Sequence, residues 1–427
     1  MLGVGRRGPL GRDVDDAGGG SAAPDGIEER DAWVVLAAVE GVGPVSFGRL
    51  LARFGSARAV LAVAAGRDGV RRLVAATAGE ETASTTLGAD AARELVAAAR
   101  DPRLVLDPVQ RAGLGVLTLE DDAYPSRLRL VELPPPVLFV RGDPTALERP
   151  RAVAIVGTRR PTEVGRATAG RIADAVASLG ATIVSGLALG VDGAAHAAAV
   201  RAGTPTIAVI GGGHERLYPA AHHGLARAIA AGGGAVVSEF GPHTHPTRGT
   251  FPRRNRLISG LADATVVVEA GARSGALTTA AWALEQGRGL HIVPGRLDDP
   301  SVAGSLAFLR EAGDAKVVAG IPELLEDLGL LAPGGATARR PLLATLTPVE
   351  RVLAARLVDG LGSVDELVVA TGEGSATVLA ALTSLEVRGL VIEAFGRYRA
   401  TGTLAGRATR RRPAIPEVGS RRRTTAA

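Results

Sequence analysis

The chain has 427 residues, a formal net charge of +5, no cysteine and a single lysine, Lys316. This length corresponds to two or three domains. The missing cysteines exclude disulfides and thiol chemistry, and a single lysine argues against a Walker A motif and a lysine Schiff base. Because no apolar segment approaches membrane-spanning length and residues 1–30 lack a hydrophobic signal region, we expect a soluble, cytoplasmic protein.

The positive charge is concentrated at the C-terminus. Residues 401–427 contain seven arginines and one glutamate, so residues 1–400 carry a net charge of about −1. The body of the protein is therefore not globally basic. Any affinity for a polyanion must come from local clusters of cations or from this tail, which we expect to be disordered over residues 403–427.

The first hundred residues predict a helical domain. Residues 1–30 are rich in Gly and charge, which predicts disorder. Residues 31–110 have apolar residues at helical spacing on both sides of the turn Gly41-Val42-Gly43. Helix, Gly-x-Gly turn and helix resemble a helix-hairpin-helix or SAM-like domain, whose turn amides can hold a DNA phosphate. A small helical packing domain without DNA contact explains the same pattern.

Residues 111–330 alternate short apolar strands with helical segments. The strands predicted at 152–156, 182–184, 206–210, 235–237, 264–268 and 290–293 are predominantly apolar, which is typical of a parallel sheet covered on both faces. This predicts an α/β, Rossmann-like, doubly wound, mostly parallel sheet. Small residues follow these strands at Gly157, Ser185, Gly186 and Gly271. No Gly-x-Gly-x-x-Gly fingerprint follows the strand at 152–156, which disfavours a conventional NAD site.

A cationic stretch directly precedes one of these strands. Four arginines lie between Arg248 and Arg256 without an intervening carboxylate, and Ser274 and Gly275 open a helix after the strand. A helix N-terminus presents free amides and the positive end of the helix dipole, and both favour an anion. Charge, turn and helix together predict a phosphate site. The alternative is a solvated arginine face with glycines that serve only backbone geometry.

Seven sequence blocks in order carry a specific resemblance, and two further blocks, YPSRL and LPPPVLFVRGD, extend it upstream. The seven are VAIVGTRRPTEVGR, SGLALGVDGAAH, AVIGGGHERLYP, SEF, FPRRNRLISGL, VVEAGARSGALTTA and VPG. In this order they resemble the core of the DNA-processing protein A family, DprA, also called Smf. The resemblance covers most of residues 115–320.

The resemblance implies a function and a set of contact residues. Proteins of this family bind single-stranded DNA with little sequence preference, act as dimers and deliver the strand to the RecA recombinase during DNA uptake. No catalytic residue, metal or cofactor is expected. By the resemblance and the turn chemistry, we expect DNA contacts from Arg159, Arg254, Asn255, Arg256, Phe251, Gly157, Ser185, Gly186, Ser274 and Gly275. Single-strand binding also needs aromatic stacking, for which Phe251 and Tyr218 are candidates, although either could equally be a core residue.

Three positions depart from the family pattern. Leu189 replaces a lysine that some relatives use for DNA, His222 replaces an asparagine, and Leu306 replaces another asparagine. Arg201 or Arg273 could substitute for the missing cation. The histidines at 222, 223, 243 and 245 have no carboxylate or cysteine at ligand spacing, so we expect no metal site.

A second functional class is a nucleotide-processing enzyme. Rossmann-like phosphoribohydrolases have a PGGxGT signature followed by glutamate, and the corresponding turn here is SGALTTA. In such an enzyme, Asp192 and Glu269 would be the acid–base candidates. In a binding protein, they would cap amides or pair with the arginines.

The C-terminal part predicts a third unit. A polar linker at 331–344 precedes two capping boxes, at Thr347 and Ser363, a third helix from Ser375, and a hairpin that turns near Gly396. Three helices and a β-hairpin predict a winged helix over residues 345–402. Its third helix offers only Arg388 to DNA, so we expect an auxiliary or protein-docking role. A chain truncated near Pro341 should retain single-strand binding in a filter assay, and loss of binding would refute that role.

Overall fold

The computed structural model describes residues 26–78, 86–331, 346–359, 361–388, 390–394 and 397–400. The chain divides into two compact units between Leu330 and Leu331. Most of the segments expected to be disordered or linking lie outside the described residues. At the N-terminal boundary the prediction of disorder extends too far, because helix α1 begins at Glu29. The Glu29 carboxylate accepts hydrogen bonds from Trp33 Nε1 at 3.1 Å and from the Ala57 amide at 2.6 Å, which fixes this first turn.

The N-terminal part of the first unit is helical. Its helices are α1 Glu29–Ala38, α2 Pro44–Phe54, α3 Ala57–Ala65, α4 Gly69–Thr77, α5 Ala89–Arg100 and α6 Arg103–Arg111. Trp33 and Phe47 meet in its core, with ring centroids 4.9 Å apart. This core also includes Val137 and Phe139. The helical part therefore packs directly on the sheet that follows.

The rest of the first unit alternates strands and helices. The strands are β1 Gly115–Thr118, β2 Val137–Gly142, β3 Ala152–Val156, β4 Thr182–Ser185, β5 Thr206–Val209, β6 Ala235–Ser238, β7 Ala264–Val267, β8 Gly289–Ile292 and β9 Lys316–Val317. The helices are α7 Ser126–Arg129, α8 Glu163–Ser178, α9 Val191–Arg201, α10 His223–Ala231, α11 Thr250–Gly260, α12 Gly275–Glu285, α13 Ala303–Glu311 and α14 Ile321–Asp327.

These strands form one nine-stranded sheet in the order β1-β2-β6-β5-β4-β3-β7-β8-β9. Pairing is antiparallel only where β2 meets β1 and β6, and it is parallel from β6 to β9. The predicted doubly wound, mostly parallel fold is confirmed. Connections from β3 lead first towards β6 and later towards β9, so the winding direction reverses beside β3. Ligands of open α/β sheets bind at such a switch point.

Both faces of the sheet are buried, as the apolar strands predict. On β3, Val153 and Ile155 pack against α8 and α9, whereas Ala154 and Val156 contribute to the core on the side of α11 and α12. Successive side chains of a strand point to opposite faces, so a strand covered twice must be apolar throughout. The sheet is therefore a rigid base for the loops at its carboxyl edge.

The second unit is the predicted winged helix. Its elements are α15 Pro348–Val358, α16 Val364–Thr371, α17 Ser375–Val387, β10 Val391–Ala394 and β11 Arg397–Ala400. Both predicted capping boxes are present, at Thr347 and Ser363. Arg388 pairs with Glu350 at 3.5 Å, so part of its charge is used within this unit. Gly396, the predicted turn of the hairpin, lies outside the described residues.

Among the described residues no single helix has the length and hydropathy of a membrane span. Helices α16 and α17 have the required length and hydropathy only when they are taken together, and the chain bends by 112° between the two helices.

Candidate nucleic-acid interface

A cavity of about 500 Å³ opens at the switch point of the sheet. The loop after β3 and the loop after β7 form two of its walls, through residues 156–160 and 271–276. The Thr158 amide donates to the Glu269 carbonyl at 2.7 Å and so joins the two loops. A Cβ at Gly157 would lie 2.6 Å from Val191 Cγ2, so the β3 loop has room only for glycine. The cavity has the size of a small-molecule or nucleotide site.

The N-terminus of α12 faces this cavity. Ser274 and Gly275 both line it, and the Ser274 hydroxyl caps the helix by accepting from the Ala276 amide at 3.3 Å. Asn255 Nδ2 donates to the Gly275 carbonyl at 3.1 Å and fixes the first turn from below. The remaining amides of the turn and the helix dipole favour an anion in the cavity.

Arg159 and Phe251 form the opposite rim. The Arg159 guanidinium carbon lies 5.1 Å from the centroid of the Phe251 ring, within cation–π range. Phe251 and Tyr218 pack edge to face, with ring centroids 6.0 Å apart. Arg159 is exposed, Phe251 is half-buried, and Tyr218 is 53% exposed. The arginine therefore covers Phe251, and Tyr218 is the aromatic ring most open to solvent at this rim.

Arg254 is buried, although the cationic composition around it predicts a phosphate-facing side chain. Only 4% of its surface is exposed. Its Nη1 donates to the Gly186 carbonyl at 2.6 Å and to the Val209 carbonyl, so it ties the carboxyl ends of β4 and β5 together. Burial lowers the pKa of Arg254 to about 10, and the nearby Asp192 opposes this shift. Arg254 therefore supports the floor of the cavity.

Arg256 is also buried, and it does not line the cavity. Its Nη2 lies 2.6 Å from Glu239 Oε2, and the two side chains are 7% and 4% exposed. The expectation of solvent-accessible guanidinium groups at Arg254 and Arg256 is therefore not met. Both lie on α11, which is covered on most of its surface, and both are committed to partners within the protein. Arg253, next to them, is exposed, with its guanidinium carbon 5.3 Å from the centroid of the Phe240 ring.

Ser185 and Gly186 lie at the end of β4 but do not line the cavity. The Ser185 hydroxyl donates to the Ile155 carbonyl at 2.6 Å and is fully buried. The Gly186 amide donates to Asp192 Oδ2 at 3.1 Å. The structure thus brings seven predicted residues to the cavity, with Arg254 and Asn255 as its buried members: Gly157, Arg159, Phe251, Arg254, Asn255, Ser274 and Gly275. Ser185, Gly186 and Arg256 belong to the supporting structure.

Both candidate acid–base carboxylates are engaged within the protein. Glu269 accepts from the Thr162 amide at 2.9 Å and from the Thr162 hydroxyl at 2.5 Å, where α8 begins. Burial raises the pKa of Asp192, and the Arg254 guanidinium counteracts this. These are the capping and pairing roles expected for a binding protein. Among the described residues no group of three or more His, Cys, Asp or Glu is placed to hold a metal.

Three cavity residues were missed or only suggested by the sequence patterns. Thr158 and Arg160 line the cavity beside Arg159, and Arg273 lines it from the loop after β7. The Gly157-Thr158-Arg159-Arg160 order after a buried strand was the available signal for the first two. Leu189 does not line this cavity, so the suggestion that Arg273 or Arg201 replaces the missing lysine stays a prediction.

The fold defines a Rossmann-like protein with a cavity at the switch point of its sheet, a helical N-terminal part and a winged helix. Sequence profiles match each part: DNA recombination-mediator protein A over residues 115–329, the DprA-like N-terminal HHH domain over 27–97, and the DprA winged helix domain over 337–396. The chain belongs to the DprA family, as its sequence blocks indicate.

Individual relatives extend over much of the chain. It is 37% identical over 357 residues to a putative DNA processing protein DprA of Mycobacterium tuberculosis, a match that covers 80% of this chain and 88% of the relative. It is 39% identical over 224 residues to the DNA processing protein DprA of Bacillus subtilis, covering 52% and 74%. The DprA structure from Streptococcus pneumoniae superposes with a TM-score of 0.55 at 28% identity and covers 70% of this chain and 98% of that one.

Proposed function

We propose that this protein binds single-stranded DNA across the carboxyl edge of its sheet. The observation that carries the proposal is the cavity shared by Arg159, Phe251 and the α12 N-terminus, with the exposed Tyr218 ring packed against Phe251. Cations, free amides and an aromatic ring at one opening suit a phosphodiester with an unpaired base. The engagement of Asp192 and Glu269 as capping groups supports a binding role rather than catalysis.

Family membership supports the finer parts of this function. The chain would act as a homodimer in the cytoplasm and load the bound strand onto a RecA-type recombinase during DNA uptake and recombination. Direct DNA contact would come from Arg159, Phe251, Ser274 and Gly275. Arg254, Asn255 and Arg256 would position these groups from beneath. Gel filtration with and without oligo-dT tests the dimer, since a monomeric mass in both samples would contradict it.

Filter binding of labelled oligo-dT over a series of salt concentrations tests single-strand binding. Each phosphate neutralised on a single strand releases about 0.7 counterion, so the logarithm of the binding constant should fall linearly with the logarithm of salt concentration. A nucleotide enzyme that holds one phosphate group would have a much smaller slope, independent of oligonucleotide length. Absence of oligo-dT binding at low salt would refute the proposal.

Replacement of Tyr218 separates base stacking from charge. Tyr218→Ala is expected to weaken oligo-dT binding by about 1–3 kcal/mol, the usual contribution of one stacked base, whereas Tyr218→Phe should retain it. The matched control is an abasic strand of the same length, whose binding should be equally strong in all three proteins. Equal losses on the abasic strand would show that the ring acts through the structure of the loop and not through a base.

A further inference from the structure

A second basic depression lies beside the cavity, between α8 and α9. It encloses about 750 Å³ and shares one residue, Arg159, with the cavity at the switch point. Its remaining basic rim is formed by Arg166, Arg171 and Arg201. We call this depression the α8–α9 groove. Because Arg159 lines both spaces, a chain that leaves the cavity past Arg159 enters the groove directly.

The groove has an excess of positive charge. Arg159, Arg166, Arg171 and Arg201 all have exposed side chains, and Asp174 is the one carboxylate among the residues that line it. The pair formed by Arg201 and Asp174 is long, at 3.9 Å, and both side chains are more than half exposed. Such a pair stabilises the fold very little. Clustered, weakly paired arginines on one face are the electrostatic footprint of a polyanion site.

Small residues form the floor of the groove, and the His222 ring covers it at Gly193, where a Cβ would lie 2.6 Å from His222 Cε1. Gly170 on α8 and Gly193 and Ala197 on α9 line it, and a Cβ at Gly170 would meet no atom within 4 Å. The lining residues extend from Arg166 to Asp174 on α8, which is about 12 Å along the helix at 1.5 Å per residue. The groove is therefore open enough and long enough for an extended chain and is not a pocket for a single anion.

We propose that the α8–α9 groove holds the phosphodiester backbone of the strand after it leaves the cavity. This inference rests on the proposed single-strand binding and adds the direction in which the strand continues. Arg166 and Arg171 contact successive phosphates, and Arg159 is the residue at which the strand turns from the cavity into the groove. Since no Phe, Tyr or Trp lines the groove and the His222 ring lies against Gly193, the contribution of the groove is electrostatic and independent of base identity.

The test compares a short and a long strand on full-length protein with Arg166→Gln and Arg171→Gln combined. An oligo-dT of about 4 nucleotides fills only the cavity, whereas one of about 16 nucleotides spans the range of single-strand site sizes and reaches the groove. For the long strand, two lost phosphate contacts should reduce the salt slope by about 1.4, at about 0.7 per contact. For the short strand, slope and affinity should not change.

The matched control is Arg58→Gln with Arg111→Gln, which removes the same charge from exposed positions that line neither space. It should leave both slopes unchanged. An unchanged long-strand slope in the groove variant would overturn the proposal, as would equal changes for both strand lengths. If the proposed single-strand site at the cavity is itself wrong, Arg159→Ala will leave the affinity for the short strand unchanged. This failure is therefore distinguishable from failure of the groove proposal. If the groove instead binds an acidic protein surface, the long-strand slope also stays at the parent value.

Discussion

Arg256→Ala is expected to destabilise the protein by about 3–5 kcal/mol, the typical cost of leaving one member of a buried ion pair without its partner. The Arg256–Glu239 pair is closed at 2.6 Å, and both side chains are almost fully buried. Removing the guanidinium would leave the Glu239 carboxylate charged and without compensation between the sheet and α11. Urea denaturation followed by circular dichroism measures the free energy of unfolding directly.

A double-mutant cycle identifies the origin of this loss. Arg256→Met combined with Glu239→Leu should be considerably less destabilised than either single variant, because no uncompensated charge remains. Arg71→Ala is the matched control, since its pair with Asp68 at 3.0 Å is 80% and 62% exposed and should contribute less than about 1 kcal/mol. If Arg256→Ala costs no more than Arg71→Ala, the pair is not buried as described.

Arg159→Ala is expected to weaken oligo-dT binding about ten- to hundredfold. The reason is that the variant loses a charge-assisted hydrogen bond to phosphate, which contributes about 1.5–3 kcal/mol to the free energy of binding. The salt slope should also fall by about 0.7, because one phosphate contact is lost. Arg159 is exposed, so the free energy of unfolding should not change. Filter binding over a salt series, together with urea denaturation of the same samples, separates the two effects.

Arg111→Ala is the control for this second prediction, because Arg111 is exposed and lines neither the cavity nor the α8–α9 groove. Its binding curve should coincide with that of the parent protein. Parent-like affinity in Arg159→Ala would remove the residue from the site. A loss of affinity with an unchanged salt slope would instead indicate that Arg159 acts by holding Phe251 and not by contacting phosphate.

The fold could be predicted because its strands are buried on both faces. Short, predominantly apolar runs rich in β-branched residues, such as 152–156 and 264–267, favour strands of a sheet covered on both faces, and small residues after them mark the carboxyl edge. The winged helix could be predicted equally well, because each of its first two helices begins with a capping box whose partners are three residues apart. Local patterns determine these features.

The role of the arginines on α11 could not be predicted in the same way. Composition indicates that a cationic segment exists, but burial depends on elements far away in the chain. The partners of Arg254 are the carbonyls of Gly186 and Val209, and the partner of Arg256 is Glu239. None of these lies within the cationic stretch itself. Leu257, Ile258 and Leu261 are apolar residues at helical spacing. This pattern predicts that α11 is packed in the core and that its arginines lie close to the core.

The path of the strand tests the central claim most directly. Ultraviolet crosslinking of oligo-dT to full-length protein, followed by mass spectrometry, identifies the peptides that contact bases. We expect crosslinks at Phe251, which lines the cavity, and at Tyr218, which packs against it, and we expect their loss in Arg159→Ala. Crosslinks restricted to the winged helix or to residues 401–427, with none at the carboxyl edge of the sheet, would contradict this account.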